Sequence, residues 1–155
     1  MEQRSECAQC ILRDRRRFLF EAAGLALAAL GLPPRVAQAH PADGPRYPVP
    51  ATDGVQIDRD NQVILVRWQN AVYAFNLSCP HQNTALRWDG ADARFQCPKH
   101  HSKYQPDGTF IEGRATRNMD RFTVRRDADM IVVDVDDMHK SDDNQATWAS
   151  AVVRL

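Results

Sequence analysis

The sequence predicts a small all-β protein. Short runs of β-branched and apolar residues recur along the chain, and turn-forming dipeptides such as Asp89-Gly90 separate them. The sequence contains no internal repeat, no low-complexity tract and no long amphipathic helical pattern, and such a chain is typical of folds built from short strands. A length of 155 residues suits one folded domain, which we place at residues 40–155.

The charge of the chain is balanced, with 20 Lys and Arg against 20 Asp and Glu. Bulk charge therefore gives no reason to expect nucleic-acid binding. Six of the basic and four of the acidic residues lie in residues 1–39, which leaves 14 basic and 16 acidic residues in the remainder. The predicted domain is thus slightly acidic.

Residues 1–39 are predicted to be a cleavable export signal. Residues 14–19 (Asp-Arg-Arg-Arg-Phe-Leu) resemble a twin-arginine motif, residues 22–32 are apolar, and Ala37-Gln38-Ala39 suits a signal peptidase. A membrane-spanning helix needs about 20 apolar residues, whereas residues 18–32 offer only fifteen positions, interrupted by Glu21. We therefore expect cleavage after residue 39 and a periplasmic location, with an uncleaved inner-membrane anchor as the alternative.

The first strands are predicted after a proline-rich lead-in at residues 40–50, which cannot form a helix. Strand patterns follow at residues 55–57, 62–68 and 71–75, the last two forming a hairpin across Gln69-Asn70. The second strand of this hairpin leads directly to Cys79. A rigid sheet is therefore expected to hold the loop that carries this cysteine.

A second hairpin is predicted from residues 85–88 and 93–96, which flank Asp89-Gly90. Three of its side chains should form apolar packing beneath the site that follows: Leu86, Trp88 and Phe95. The hairpin would bring the next segment back towards Cys79.

The remainder of the chain predicts a short strand at residues 109–111 and a third hairpin of residues 121–126 and 130–135. Residues 136–144 are polar and acidic, which favours a loop. Residues 147–155 are predicted to form a closing strand.

Two short clusters of metal-binding side chains lie within residues 79–104. Cys79 and His81 form a Cys-x-His pair, and Cys97 and His100 form a Cys-x-x-His pair after a fifteen-residue gap. Thiolates and imidazoles together suit zinc or an iron–sulfur site. A zinc finger with two cysteines and two histidines pairs like with like, whereas each loop here supplies one of each.

The surrounding residues strengthen one interpretation. A proline follows each cysteine, and the run after His100 continues Ser102-x-Tyr104 and then Pro106-Asp107-Gly108. With these features, residues 47–135 resemble the Rieske family, in which two cysteines hold one iron and two histidines the other iron of a [2Fe–2S] cluster.

The resemblance implies three small antiparallel sheets and a cluster-binding subdomain at about residues 77–110. It implies that Cys79 and Cys97 hold the inner iron, and that His81 and His100 hold the outer iron, which accepts the electron. The hydroxyls of Ser102 and Tyr104 would donate to a bridging sulfide and to a ligand cysteine. His101, beside a ligand, is expected not to coordinate.

The chain also departs from the respiratory members of this family. Those subunits carry a second cysteine in each loop and join the two, whereas this chain has Thr84 and Lys99 at the corresponding positions. Their Gly-Pro-rich segment is represented here by residues 113–116, Gly-Arg-Ala-Thr, without the proline. These departures favour a soluble carrier or a subunit of another periplasmic oxidoreductase, such as the arsenite oxidase type.

The resemblance implies one-electron transfer to a cytochrome or a larger redox enzyme, with no substrate site in the chain itself. One alternative is a membrane-anchored Rieske subunit of a cytochrome bc-type quinol oxidase complex, and another is a structural zinc module. A Rieske oxygenase would need a mononuclear iron site, for which only His40 and His139 lie clear of the two loops. Five basic residues are also predicted to form a face that binds an acidic partner: Lys99, Lys103, Arg114, Arg117 and Arg121.

Overall fold

The computed structural model describes residues 44–155, which form antiparallel β-structure with a single short helix. The elements in this range are β1 Arg46–Pro48, β2 Gly54–Asp58, β3 Val63–Trp68, β4 Ala71–Asn76, β5 Arg87–Asp89, β6 Arg94–Gln96, β7 Lys103–Tyr104, β8 Phe110–Glu112, β9 Arg121–Asp127, β10 Met130–His139, α1 Gln145–Ser150 and β11 Val153–Arg154. The helix in this range is not long and apolar enough to cross a membrane. The predicted export signal lies outside the described residues.

The larger sheet has seven strands in the order β1-β10-β9-β4-β3-β2, and β11 also pairs with β4. Its central hairpin joins β3 and β4 in the register Val63 to Asn76 through Trp68 to Ala71. Gln69 and Asn70, at the turn, have φ values of +49° and +59°, which is the geometry of a type I′ hairpin turn. The predicted hairpin across these residues is confirmed.

The smaller sheet has four strands in the order β5-β6-β7-β8. Its strands fall between β4 and β9 in the sequence, so it forms an insertion into the larger sheet. The predicted hairpin around Asp89 is confirmed, since Arg87 pairs with Gln96 and Asp89 with Arg94. This insertion contains the region in which a cluster-binding subdomain was expected.

The number of sheets differs from the expected three. Strands β2, β3 and β4 form one group and strands β1, β9 and β10 another, and a single residue pair, Phe75 with Arg121, joins the two groups. Three groups of strands are therefore present, but this one pair makes two of them a continuous sheet. The all-β antiparallel fold class is confirmed.

The predicted loop at residues 136–144 is wrong in its first part. Strand β10 continues to His139, and its register against β9 shifts between Asp134 and Met138. This irregularity accommodates additional residues, so the strand persists through an acidic stretch that looked like a loop.

The predicted closing strand at residues 147–155 is also wrong in its first part. Helix α1 occupies residues 145–150, and the Asn144 side chain caps it by accepting from the backbone N–H groups of Ala146 and Thr147. Trp148 is buried in this helix and donates from Nε1 to the carbonyl of Met119 at 2.7 Å. The tertiary contact of one aromatic side chain thus stabilises a helix too short to be stable alone.

The buried apolar residues form two clusters, one of which contains Cys79 and Cys97. Leu86 and Phe95 are fully buried in the cluster that contains the cysteines, and Trp88 packs on Phe95 with ring centroids 4.8 Å apart. The predicted apolar packing of these three residues is confirmed. Both cysteines therefore lie where water is excluded.

Candidate metal centre

The first candidate loop leaves strand β4 and turns back sharply. The backbone N–H of Cys79 donates to the carbonyl of Thr84 at 2.9 Å, and the N–H of Asn83 donates to the carbonyl of Cys79 at 2.9 Å. Ser78 and Ala85 form an isolated antiparallel bridge at the base of the loop. These contacts fix the Cys79 side chain in the interior while His81 remains partly exposed.

The second loop joins strands β6 and β7 by a similar pattern. The N–H of Cys97 donates to the carbonyl of Ser102 at 2.8 Å, and the N–H of His101 donates to the carbonyl of Cys97 at 3.0 Å. His101 adopts a left-handed backbone conformation with φ of +57°. The turn directs Cys97 and Ser102 into the interior and leaves His100 partly exposed.

The two loops bring the candidate histidines into contact. The Nδ1 atoms of His81 and His100 are 3.1 Å apart, and the ring centroids are 4.6 Å apart at an interplanar angle of 79°. Two nitrogens bound to one tetrahedral metal at about 2.1 Å would be about 3.4 Å apart. The observed separation of the two nitrogens is close to this value.

Cys79 and Cys97 are not joined in a disulfide, and both side chains are fully buried. The hydroxyl of Tyr104 lies 3.4 Å from Cys79 Sγ. Burial raises the pKa of Tyr104 well above its usual range, and the neighbouring Cys79 and Cys97 raise it further. The phenol therefore keeps its proton, which is available for donation to sulfur.

The hydroxyl of Ser102 accepts hydrogen bonds from two backbone N–H groups. Its Oγ accepts hydrogen bonds from the backbone N–H groups of Arg114 at 3.1 Å and Ala115 at 3.0 Å. The side chain is fully buried, and it also lies near the hydroxyl of Tyr104. Both residues expected to donate towards a cluster thus lie at the site.

The donors fall into two pairs: the thiols are buried, and the imidazoles lie at the partly exposed edge. Within residues 44–155, no three His, Cys, Asp or Glu side chains are grouped so that they could hold one metal ion. A [2Fe–2S] cluster takes two protein ligands on each iron. A buried sulfur pair and a separate, outer nitrogen pair fit that donor set.

The electrostatic environment favours the neutral form of His100. Partial burial lowers its pKa, and the nearby positive charges of His81, Lys99, Arg114 and His101 lower it further. A neutral imidazole is the form that binds metals.

His101 does not join the facing pair of histidines. Its side chain is exposed, and its Nδ1 lies 3.3 Å from Nε2 of Gln96. That the residue beside His100 does not coordinate stays a prediction.

The predicted basic face is smaller than the sequence indicated. Lys103 Nζ lies 2.5 Å from Glu112 Oε1, and Arg117 forms two hydrogen bonds of 3.0 Å to Asp120. These ion pairs offset two of the five charges that were assigned to the face.

Arg121 is also absent from that face, because its side chain is buried. Its guanidinium carbon lies 3.6 Å from the centroid of the Trp148 ring, and its nitrogens donate to the carbonyls of Trp148 at 2.9 Å and Asp107 at 2.7 Å. Only Lys99 and Arg114 of the five remain exposed beside His100. The sequence carried no local signal for the burial of Arg121, since the tryptophan is 27 positions away.

Comparison with known proteins identifies the family of this chain. Residues 46–125, just over half of the chain, match the model of the Rieske [2Fe-2S] domain.

Curated relatives match shorter stretches. The chloroplastic cytochrome b6-f complex iron-sulfur subunit of Bigelowiella natans is 36% identical over 61 residues, covering 39% of this chain and 24% of that protein. The cytochrome b6-f complex iron-sulfur subunit 1 of a Nostoc species is 29% identical over 76 residues, covering 48% of this chain and 42% of that protein. The matches to these two relatives therefore span only a quarter to two fifths of their lengths.

One solved structure also superposes in part. The crystal structure of the cyanobacterial plasma membrane Rieske protein PetC3 from Synechocystis gives a TM-score of 0.43 at 22% identity, covering 51% of this chain and 82% of that chain.

Proposed function

Because this chain belongs to the Rieske [2Fe–2S] family, we propose that it is a periplasmic one-electron carrier, free or as the small subunit of an oxidoreductase. Cys79 and Cys97 hold one iron of the cluster, and His81 and His100 hold the other. When bound, the cluster accepts and releases one electron.

The observation that carries this proposal is the convergence of the two loops. The histidine Nδ1 atoms are 3.1 Å apart at the partly exposed edge, and the two cysteines are buried within a single apolar cluster beneath. An electron can therefore pass through the histidine edge to a partner, while the sulfur side remains dry.

Ser102 and Tyr104 tune the affinity for the electron. Both side chains are fully buried; the Tyr104 hydroxyl lies 3.4 Å from Cys79 Sγ, and the Ser102 hydroxyl lies near that of Tyr104. Hydrogen bonds donated to sulfur stabilise the negative charge that reduction adds, so they raise the reduction potential. Two such donors favour a potential in the upper half of the family range of about −150 to +300 mV.

The partner is a cytochrome or a larger redox enzyme with an acidic docking surface. Lys99 and Arg114 support this assignment, because they are the exposed cations beside His100. Complementary charge of this kind mainly raises the association rate, and salt screens it. The other three residues of the predicted basic face do not contribute to docking: Lys103 and Arg117 are in ion pairs, and Arg121 is buried.

The periplasmic location is supported by residues 1–39, whose arginine motif, apolar run and Ala37-Gln38-Ala39 are in the order of a twin-arginine signal. The twin-arginine route carries folded proteins, which suits a cofactor inserted before export. Cleavage after Ala39 would release residues 40–155 as the mature protein.

A second candidate function is that of a subunit in a cytochrome b6-f type complex, because the curated relatives bear that description. Against it stand Thr84 and Lys99, at the positions where respiratory subunits have joined cysteines, and the missing proline after Gly113. Purification of the tagged protein from separated periplasm and membranes tests the choice. The carrier proposal expects the red-brown protein in the periplasm, alone or with an oxidoreductase, whereas recovery from membranes with a b-type cytochrome would favour the second candidate.

A further inference from the structure

Residues 113–115 pack directly against the second loop. Gly113 has φ of +118°, and a Cβ added there would overlap the Ser102 Cα and lie 2.8 Å from the Ser102 nitrogen and 3.0 Å from the His101 carbonyl oxygen. Only glycine combines this backbone angle with so close an approach. The contact brings the next two backbone N–H groups onto the Ser102 hydroxyl.

The two N–H groups determine what the hydroxyl can do. A serine oxygen has two lone pairs and one proton, and Arg114 and Ala115 donate to that oxygen at 3.1 and 3.0 Å. With both lone pairs engaged, the hydroxyl can interact further only by donating its own proton. Accepting hydrogen bonds also polarises the O–H group and strengthens the bond that it donates.

We propose that the backbone of Gly113, Arg114 and Ala115 is a positioning clamp that makes the Ser102 hydroxyl an obligatory donor into the site formed by Cys79 and Cys97. The clamp acts through Ser102, so this inference rests on the proposed function. The clamp raises the reduction potential through the hydrogen bond that Ser102 donates, and the clamp's own side chains are not required to contact the cofactor.

The arginine at position 114 gives the clamp its second donor. A proline at position 114 would have no backbone N–H to donate. Arg114 keeps its N–H and uses it on Ser102 Oγ. The backbone N–H of position 114 therefore supplies one of the two hydrogen bonds that the Ser102 hydroxyl accepts.

The matched variants are Arg114→Pro and Arg114→Ala. Both remove the positive charge, but only the proline removes the N–H. Because proline also restricts the backbone at positions 113 and 114, the difference between the two potentials is compared with the same pair in the Ser102→Ala background. By protein-film voltammetry, we expect Arg114→Pro to have a lower potential than Arg114→Ala, by less than the full shift of Ser102→Ala. Equal potentials for the proline and alanine variants, with the cluster assembled in both, would overturn the proposal.

The Ser102→Ala background separates the clamp from other effects. There the proline and alanine variants should have equal potentials, because the acceptor is gone. A proline effect that persists in this background would show that position 114 acts by another route and would overturn the clamp. If Ser102→Ala alone left the potential unchanged, the tuning role of Ser102 would fail and the clamp with it, whereas the ligand assignment would stand.

Hydrogen exchange supplies a readout that does not depend on redox activity. In the holoprotein, Ser102→Ala should speed amide exchange in the peptide containing Arg114 and Ala115, because both N–H groups lose their acceptor. If Arg114→Pro fails to assemble, Gly113→Ala replaces it, with Gly54→Ala as the control at a glycine whose added Cβ meets nothing within 4 Å. Gly113→Ala should speed the same exchange and lower the potential, and exchange at the wild-type rate in either Ser102→Ala or Gly113→Ala would contradict the clamp.

Discussion

The hydroxyl of Tyr104 lies 3.4 Å from the sulfur of Cys79, and both groups are fully buried in one apolar cluster. Burial raises the pKa of this tyrosine, so the phenol remains a hydrogen-bond donor throughout the neutral range. A donor to a ligand sulfur in a dry site stabilises added negative charge more than it would in water.

Replacing Tyr104 by Phe should therefore lower the reduction potential while the cluster still assembles. One hydrogen bond worth about 1.4 kcal/mol more in the reduced state corresponds to about 59 mV for one electron, so a shift of tens of millivolts is expected by voltammetry. Tyr47→Phe is the control, because that hydroxyl donates to Asp58 and belongs to the other apolar cluster. A potential that changes equally in both variants would show that the Cys79 contact does not tune the site.

Reversing the charge of Lys99 or Arg114 should slow electron transfer to an acidic partner and weaken its dependence on salt. Stopped-flow rates at low ionic strength should fall severalfold in Lys99→Glu, with convergence towards the wild-type rate at high salt. Arg126→Glu makes the same change near the far end of β9, beside the hairpin turn, where Arg126 Nε donates to the carbonyl of Ala128. If Arg126→Glu slowed the reaction as much as Lys99→Glu, the effect would be one of net charge and the docking surface would lie elsewhere.

Replacing Arg121 by Met should destabilise the fold. The guanidinium donates to the carbonyls of Trp148 and Asp107 and so ties α1 to the segment that follows the second loop. Leaving these buried acceptors unsatisfied should cost about 2–4 kcal/mol, measured by denaturant unfolding of the holoprotein. Arg125→Met, at a neighbouring partly exposed position on the same strand, should be nearly neutral. Unchanged stability in Arg121→Met would mean that these hydrogen bonds do not stabilise the fold.

Export should depend on Arg15 and Arg16. Changing both to Lys keeps their charge but removes the pair that the export receptor reads, so the protein should accumulate in the cytosol. Arg4→Lys with Arg13→Lys makes the same chemical change outside the motif and should leave export intact. Cell fractionation followed by immunoblotting decides the matter, and a periplasmic Arg15→Lys/Arg16→Lys protein would contradict the proposed route.

The two longer hairpins could be predicted because their signals are local. Short runs of β-branched and apolar residues define β3, β4, β9 and β10, and Gln69-Asn70 and the turn at residues 127–129 set where the chain reverses. The spacing of the cysteines and histidines likewise marked both loops, and the structure brings the histidines together.

The incorrect predictions came from long-range contacts. Helix α1 forms where a strand was expected because Trp148 reaches Met119 and the Arg121 side chain, which no local pattern encodes. Arg121 was assigned to the surface by its charge, but two distant rings, Tyr73 and Trp148, cover its guanidinium. The contact of Gly113 with Ser102 could not be foreseen either, since it depends on how the segment after β8 packs on the second loop.

The central claim is that Cys79, His81, Cys97 and His100 hold a [2Fe–2S] cluster with two nitrogen ligands. It is tested most directly by iron and sulfide analysis of the purified protein, with pulsed EPR of the reduced protein labelled with ¹⁵N-histidine. The account predicts two irons and two sulfides per chain, an EPR signal that appears on reduction, and hyperfine coupling to two histidine nitrogens. It also predicts that His100→Ser or Cys97→Ser prevents assembly while His101→Ser does not. A colourless, EPR-silent protein that contains zinc, or an unchanged signal in His100→Ser, would contradict it.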